Sequence, residues 1–199
     1  MKFMSFKTIA PVFIAAAAIF SIATSTLAQE APRVKFATTA GDFVVEVYPD
    51  KAPKTVANFL QYVNEKHYNG TLFHRVIENF MLQGGGFDAK YSQKPTHAPV
   101  AHEGREALAK GGPKNVVGTL AMARTNDPQS ATAQFFINVN DNAFLDPTPQ
   151  QFGYTVFGKV ISGMDVIQKI KTTPTGAGGP FPSDVPKTPI LINSATLVK

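Results

Sequence analysis

The side chains best able to do chemistry are four histidines, His67, His74, His97 and His102, and one arginine, Arg75, set among apolar residues. Cysteine is absent, which removes disulfides, thiolate nucleophiles, thiol redox pairs and cysteine-ligated zinc together. No Gly-x-Ser-x-Gly elbow, P-loop or His-Glu-x-x-His occurs. Gly84-Gly85-Gly86 lacks the spacing of a dinucleotide fingerprint and reads as backbone freedom at a strand end. His97 and His102 share a polar segment with Glu103, a weak set for a metal, and no metal site or cofactor is expected. His74 beside Arg75 could act as a general base, but a buried structural histidine is the favoured reading. Asn69-Gly70-Thr71 matches a glycosylation acceptor, a pattern common by chance. The basic residues are dispersed, which gives no support to nucleic-acid binding.

What stands out is Phe73 to Phe87 (FHRVIENFMLQGGGF), where Arg, Phe, Met and Gln crowd together. With strict strand alternation Phe73, Arg75 and Ile77 share one face, and Met81 and Gln83 another. An arginine in an apolar set is costly unless it is paired or used. A second apolar group comprises Met122, Phe135, Phe136, Phe144 and Leu145. Composition and period leave two readings open: a working arginine, or a barrel core with one arginine reaching the surface.

The elements that would position these residues are mostly strands. Val34 to Thr38 and Phe43 to Tyr48 flank Ala40-Gly41-Asp42 and read as a hairpin. Val56, Phe59, Leu60 and Val63 fall on one helical face between Pro53 and Asn64. Strands are expected at Val116–Ala123, Gln134–Val139, Tyr154–Val160 and Ile190–Val198. A second helix is expected at Met164–Ile170, capped by Ser162. Residues 88–114 read as a long loop with a short helical turn near Glu106 to Ala109, and 172–189 as a Gly/Pro-rich stretch. Fifteen glycines and 15 prolines favour many short elements. The absence of recurring βαβ units points to an antiparallel, closed or sandwiched β architecture carrying two helices.

The N-terminus reads as an export signal. Lys2 and Lys7 precede a mostly apolar run from Ile9 to Ile22, and Thr26-Leu27-Ala28 suits cleavage after Ala28. The run is shorter than the ~20 residues that a spanning helix needs. Residues 1–28 are therefore expected to be a signal peptide, 29–199 one domain, and the location a bacterial periplasm. Loss of Lys2 and Lys7 lowers the formal net charge of +5 by two.

Four segments together resemble a cyclophilin, a peptidyl-prolyl cis–trans isomerase, and most resemble the periplasmic cyclophilins of Gram-negative bacteria. They are residues 73–87, 118–125 (GTLAMART), 130–146 (SATAQFFINVNDNAFLD) and 152–167 (FGYTVFGKVISGMDVI). The resemblance implies a mainly β fold, a closed eight-stranded antiparallel β-barrel capped by two α-helices, with the active site in a groove on its outer surface. It implies that Arg75 is the catalytic arginine, and that Gln83 holds Arg75 and the substrate carbonyl. Phe80, Met81, Phe135 and Leu145 would form the apolar pocket for the proline ring, with Phe144 and Tyr154 at its rim. Met122 and Ala123 would line the neighbouring pocket, and Gln134 would lie near the substrate backbone. Arg124 stands where the family grips peptide with backbone groups, its side chain free. His74 carries no chemical role in this reading.

The partners so implied are proline-containing segments of folding proteins, with no nucleic acid, no membrane after signal cleavage and a monomeric state. Phe144 stands where many eukaryotic members have Trp, and Tyr154 where many have His. Phe cannot supply the ring N–H that the Trp gives to cyclosporin, so weak cyclosporin binding is expected. A proline-binding module without catalysis is the competing reading. Arg75 and Gln83 argue for the enzyme, because a pure binder needs no donor aimed at a prolyl nitrogen.

Overall fold

The computed structural model describes Met1 and residues 30–198. The expected signal segment, residues 1–28, lies outside them apart from Met1. In chain order the elements are β1 (Arg33–Thr38), β2 (Gly41–Val47), α1 (Pro53–Asn64), β3 (Thr71–Ile77), β4 (Met81–Asp88), α2 (Gly104–Ala109), β5 (Thr119–Met122) and β6 (Phe135–Asn138). A 3-10 turn (Ala143–Leu145) then leads to β7 (Val156–Ser162), α3 (Met164–Lys171), β8 (Thr175–Gly178), β9 (Phe181–Pro186) and β10 (Leu191–Val198). Eight strands close into an antiparallel barrel in the order β1-β10-β3-β4-β6-β5-β7-β2. Closure leaves this sheet without an unpaired edge.

Three features differ from the sequence expectation. Among the described residues there are three α-helices rather than two, because the turn near Glu106 extends into α2. The 172–189 stretch is not structureless: β8 and β9 pair as a two-stranded sheet that packs on β3. Ser162 does not cap α3. Gly163 takes that position at φ +82°, and a Cβ there would come within 2.5 Å of Asp42 O. Only glycine fits both the left-handed backbone and the close approach.

The barrel interior is aromatic. Phe36 and Phe43 stack with centroids 5.0 Å apart, and Phe59 meets Phe135 edge-on at 6.1 Å. Such pairs each add about 0.5–1.5 kcal/mol beyond area burial. Helix α1 contributes Val56, Phe59, Tyr62 and Val63 to this core. No side chain at Ala52 caps it. Its first N–H groups are satisfied from 48 and 49 residues away instead. Lys54 N and Thr55 N donate to the Glu103 carboxylate at 3.1 and 2.7 Å, and Thr55 Oγ1 donates to it at 2.7 Å. A buried carboxylate at a helix N-terminus is favourable on both hydrogen-bonding and dipole grounds. The long 88–114 segment is thus tied into the fold through Glu103.

Candidate active site

On the outer surface, one register row crosses four adjacent strands. Arg75 on β3 pairs with Gln83 on β4, Gln83 with Phe136 on β6, and Phe136 with Ala121 on β5. The next row, Phe73, Gly84, Phe135 and Met122, is related to it by the same pairings and faces the interior. Strict alternation would have sent Arg75 inward with Phe73. The register shifts between Phe73 and Arg75, so one extra residue, His74, is accommodated there. A bulge of this kind re-aims the side chains beyond it. Phe73 therefore points into the core, while Arg75 and Ile77 point out, which corrects the face assignment made from alternation alone.

The groove so formed is lined by Arg75, Phe80, Met81, Gln83, Ala123, Arg124, Phe136, Leu145 and Tyr154, with about 390 Å³ of empty space. Beneath it Met81, Ala121, Ala123, Phe136, Leu145 and Val156 form a small apolar cluster separate from the barrel core. Most of the expected residues meet here, and two do not. Phe135 is 0% exposed and packs inside the barrel against Phe36, Phe59, Tyr68 and Phe73. Its neighbour Phe136 occupies the groove in its place. Met122, paired with Phe135, belongs to the interior as well. Both corrections have one cause, since a one-residue change of phase on a strand exchanges its faces.

Phe144 is 65% exposed at the rim and stacks on Phe80 at 5.6 Å. A buried polar network fixes the backbone beneath this pair. Asn142 Nδ2 donates to Phe80 O and to Asn138 Oδ1, at 2.9 and 2.7 Å. Asn138 Nδ2 donates to Thr119 Oγ1, and Asn115 donates through both its nitrogens to Asp146 Oδ1. Satisfied networks of this kind rigidify what they support. The sequence reading did not single these residues out; their only signal was the unusual density of Asn and Asp between 138 and 146.

The polar groups are arranged unequally. Among the described residues the Arg75 side chain makes no hydrogen bond or ion pair, and its guanidinium carbon lies 6.0 Å from the Phe80 centroid. Gln83 does not bond Arg75; its Nε2 donates to Gln134 Oε1 at 2.9 Å. Gln134 crosses directly over Gly86, where a Cβ would lie 2.4 Å from its side chain. The triple glycine thus lies inside β4 and permits a close approach, rather than loosening a strand end. Arg124 is not free. Its Nε and Nη2 donate to Gly153 O at 3.1 and 2.8 Å, and its guanidinium covers the Tyr154 ring at 4.5 Å.

None of the four histidines lines the groove. His74, 3% exposed, is packed between Phe87 and Phe181 with Nδ1 unpartnered. Burial, with the Arg75 charge beside it, lowers its pKa to about 4. His97 Nε2 lies 2.6 Å from Glu65 Oε2, and His102 Nε2 lies 3.2 Å from Gly153 O, so the two do not converge. Among the described residues no group of three or more His, Asp or Glu is placed to hold a metal.

Comparison with known proteins gives the family. Residues 33–197 match the family model described as cyclophilin type peptidyl-prolyl cis-trans isomerase/CLD. The chain is 52% identical over 167 residues to peptidyl-prolyl cis-trans isomerase B of Escherichia coli, covering 82% of this chain and 98% of that protein. It is 48% identical over 180 residues to peptidyl-prolyl cis-trans isomerase A of Dickeya dadantii, covering 90% and 88%. A cyclophilin type isomerase from Cryptosporidium parvum, solved in the presence of the dipeptide Ala-Pro, shares the fold. The TM-score is 0.64 at 23% identity, over 84% of this chain and 99% of that one. With the family model covering nearly all the described chain, and with a groove carrying an unengaged arginine over an apolar floor, the chain belongs to the cyclophilin-type peptidyl-prolyl cis–trans isomerases.

Proposed function

We propose that this isomerase accelerates X–Pro rotation through Arg75 and does so for proteins exported to the periplasm. Rotation about the peptide bond faces a barrier of ~18–20 kcal/mol, because the nitrogen lone pair is delocalised into the carbonyl. No bond is broken, so no nucleophile or cofactor is required. The catalyst must bind the twisted state more tightly than either planar one. In the twisted state the prolyl nitrogen becomes pyramidal and regains its lone pair, which a guanidinium can meet with a hydrogen bond. Arginine suits the task because it stays charged and offers a rigid fork of donors.

One observation supports this assignment above the rest: of the two guanidiniums lining the groove, Arg124 is bonded to the protein and Arg75 is not. Phe80, Met81, Phe136 and Leu145 would receive the proline ring. Gln83 and Gln134 would meet the peptide backbone, since the Gln83 amide oxygen is not used in their mutual bond. The export reading rests on the Lys2 to Ala28 pattern. A monomer is expected.

The test is catalysed isomerisation of a short Ala-Pro-Phe peptide by the purified protein and by Arg75→Ala, each checked for folding by circular dichroism. Loss of one transition-state donor is expected to lower kcat by about 10²–10³. Full activity in a folded Arg75→Ala would assign the catalysis to another group. No activity in a folded parent that still binds proline peptides would leave a binding module. Cyclosporin should bind weakly, because Phe144 offers no ring N–H. Titration calorimetry checks this, and a nanomolar Kd would contradict it.

A further inference from the structure

The groove floor stands on strands, but its far wall does not. Tyr154 lies between the 3-10 turn and β7, and its ring meets Phe136 edge-on with centroids 5.4 Å apart. The chain enters Tyr154 through Gly153, at φ +62° and so close to the preceding turn that a Cβ would lie 2.4 Å from Pro147 N. A loop this tight can hold the ring in one place only if its carbonyls are held too.

Gly153 O is where those bonds converge. Arg124 sends Nε and Nη2 to it, at 3.1 and 2.8 Å, while Nη1 donates to Thr125 O at 2.8 Å. The central carbon of the same guanidinium lies over the Tyr154 ring, 4.5 Å from its centre. From the other side His102 reaches the same oxygen at 3.2 Å. Gly104 N donates to His102 Nδ1 at 3.2 Å, so the ring proton sits on Nε2, which donates to Gly153 O. Arg124 has no carboxylate partner among the described residues. Its contacts are three carbonyl oxygens, the third being Asn126 O at 3.5 Å from Nη1, and one aromatic face.

We propose that Arg124 is a positioning residue of the isomerase site: its guanidinium clamps Gly153 O and the face of Tyr154, fixing the Tyr154–Phe136 wall before substrate arrives. The clamp needs a planar fork. A lysine keeps the charge but has no fork to donate twice to one carbonyl while its charge stays over the ring. The wall touches the substrate in its planar and twisted forms alike. Its loss therefore removes uniform binding and raises KM more than it lowers kcat. Arg75, aimed at the nitrogen, has the opposite signature. The inference rests on the proposed seating of proline in this groove, so the two arginines are tested side by side.

The experiment separates KM from kcat for the Ala-Pro-Phe peptide in the purified protein and its variants. Arg124→Ala should raise KM about tenfold, the scale of one charge-assisted hydrogen bond, with kcat changed less. Arg124→Lys should not restore KM. Tyr154→Leu should raise KM similarly, and the double variant should show less than the product of the two effects, because both remove one wall. Arg75→Ala should lower kcat at nearly constant KM. Three results overturn the clamp: an unchanged KM in folded Arg124→Ala, a parental KM in Arg124→Lys, or a fall in kcat alone. Should Arg124→Ala not fold, parental KM values in Arg124→Lys and Tyr154→Leu decide against it. A normal kcat in Arg75→Ala refutes the nitrogen-donor reading while leaving the KM arm of the Arg124 series to stand or fall separately.

Discussion

On β6 two phenylalanines follow one another. Phe135 packs inside the barrel among four aromatic rings, and Phe136 lies outside in the groove with Met81, Leu145 and Tyr154 around it. The same division runs across β3, β4 and β5, where Phe73, Leu82 and Met122 face in while Arg75, Gln83 and Ala121 belong to the outer row. One sheet therefore carries a dry aromatic core on one face and a half-open site on the other. The inner face is redundant, with many rings sharing each contact. The outer face is sparser, with one small apolar cluster beneath the groove.

The comparison is broken most directly by truncating each phenylalanine. Phe135→Ala should cost about 3–5 kcal/mol of stability, because the interior cannot collapse around the cavity. Phe136→Ala, beside an open groove, should cost less stability and most of the peptide affinity. Urea unfolding and isomerase assays of both variants check this. Equal destabilisation, or an affinity loss in folded Phe135→Ala only, would show that the faces are not separate in function.

The strand alternation, the first hairpin, α1 and α3 were all legible in the sequence, because each rests on a local period. Which phase of a strand faces inward was not. Phe135 and Phe136 are the same residue type, so pattern alone cannot choose between them. The bulge at His74 is invisible for a related reason: a single extra residue leaves the composition unchanged but exchanges the faces beyond it. Arg75 nevertheless stood out, because a charge in an apolar run needs an explanation; that it lines the outer groove came only with the structure. What the sequence hid entirely were long-range polar bonds, such as Glu103 on the start of α1 and His102 on Gly153. Their partners lie about 50 residues away, and no local rule connects them.

His74 sharpens the comparison, because it lies outside the barrel cluster yet is as dry as the inner face. Above pH 6.5 its ring is neutral in the folded and unfolded chain alike, and it adds no pH dependence. Below that the unfolded chain takes up a proton that the buried ring refuses until about pH 4. Stability should therefore fall as pH drops from about 6.5 to about 4, by up to ~3 kcal/mol from this residue. Replacing it with Phe, which matches the Phe87 and Phe181 stack, should remove that part of the acid sensitivity. Denaturant unfolding at pH 7 and pH 4.5 measures it, and identical losses in parent and His74→Phe would refute it.

The smallest expected effect comes from the residue that joins the two regions. Glu103 holds the first turn of α1, which closes the barrel interior, and its own N–H donates to Thr155 Oγ1 at 3.2 Å, next to Tyr154 of the groove wall. Its carboxylate serves the inner region and its backbone serves the outer one. Glu103→Ala removes only the first, because the backbone N–H survives any substitution except proline. Loss of the cap should cost about 1–2 kcal/mol of stability, with KM and kcat held within about twofold while the variant remains folded. Glu103→Gln keeps an acceptor and should cost less. A combined thermal-unfolding and kinetic comparison decides the point. If Glu103→Ala raises KM as Arg124→Ala does, the α1 cap and the groove wall form one mechanical unit, and the separation of inner stability from outer chemistry ends at this loop.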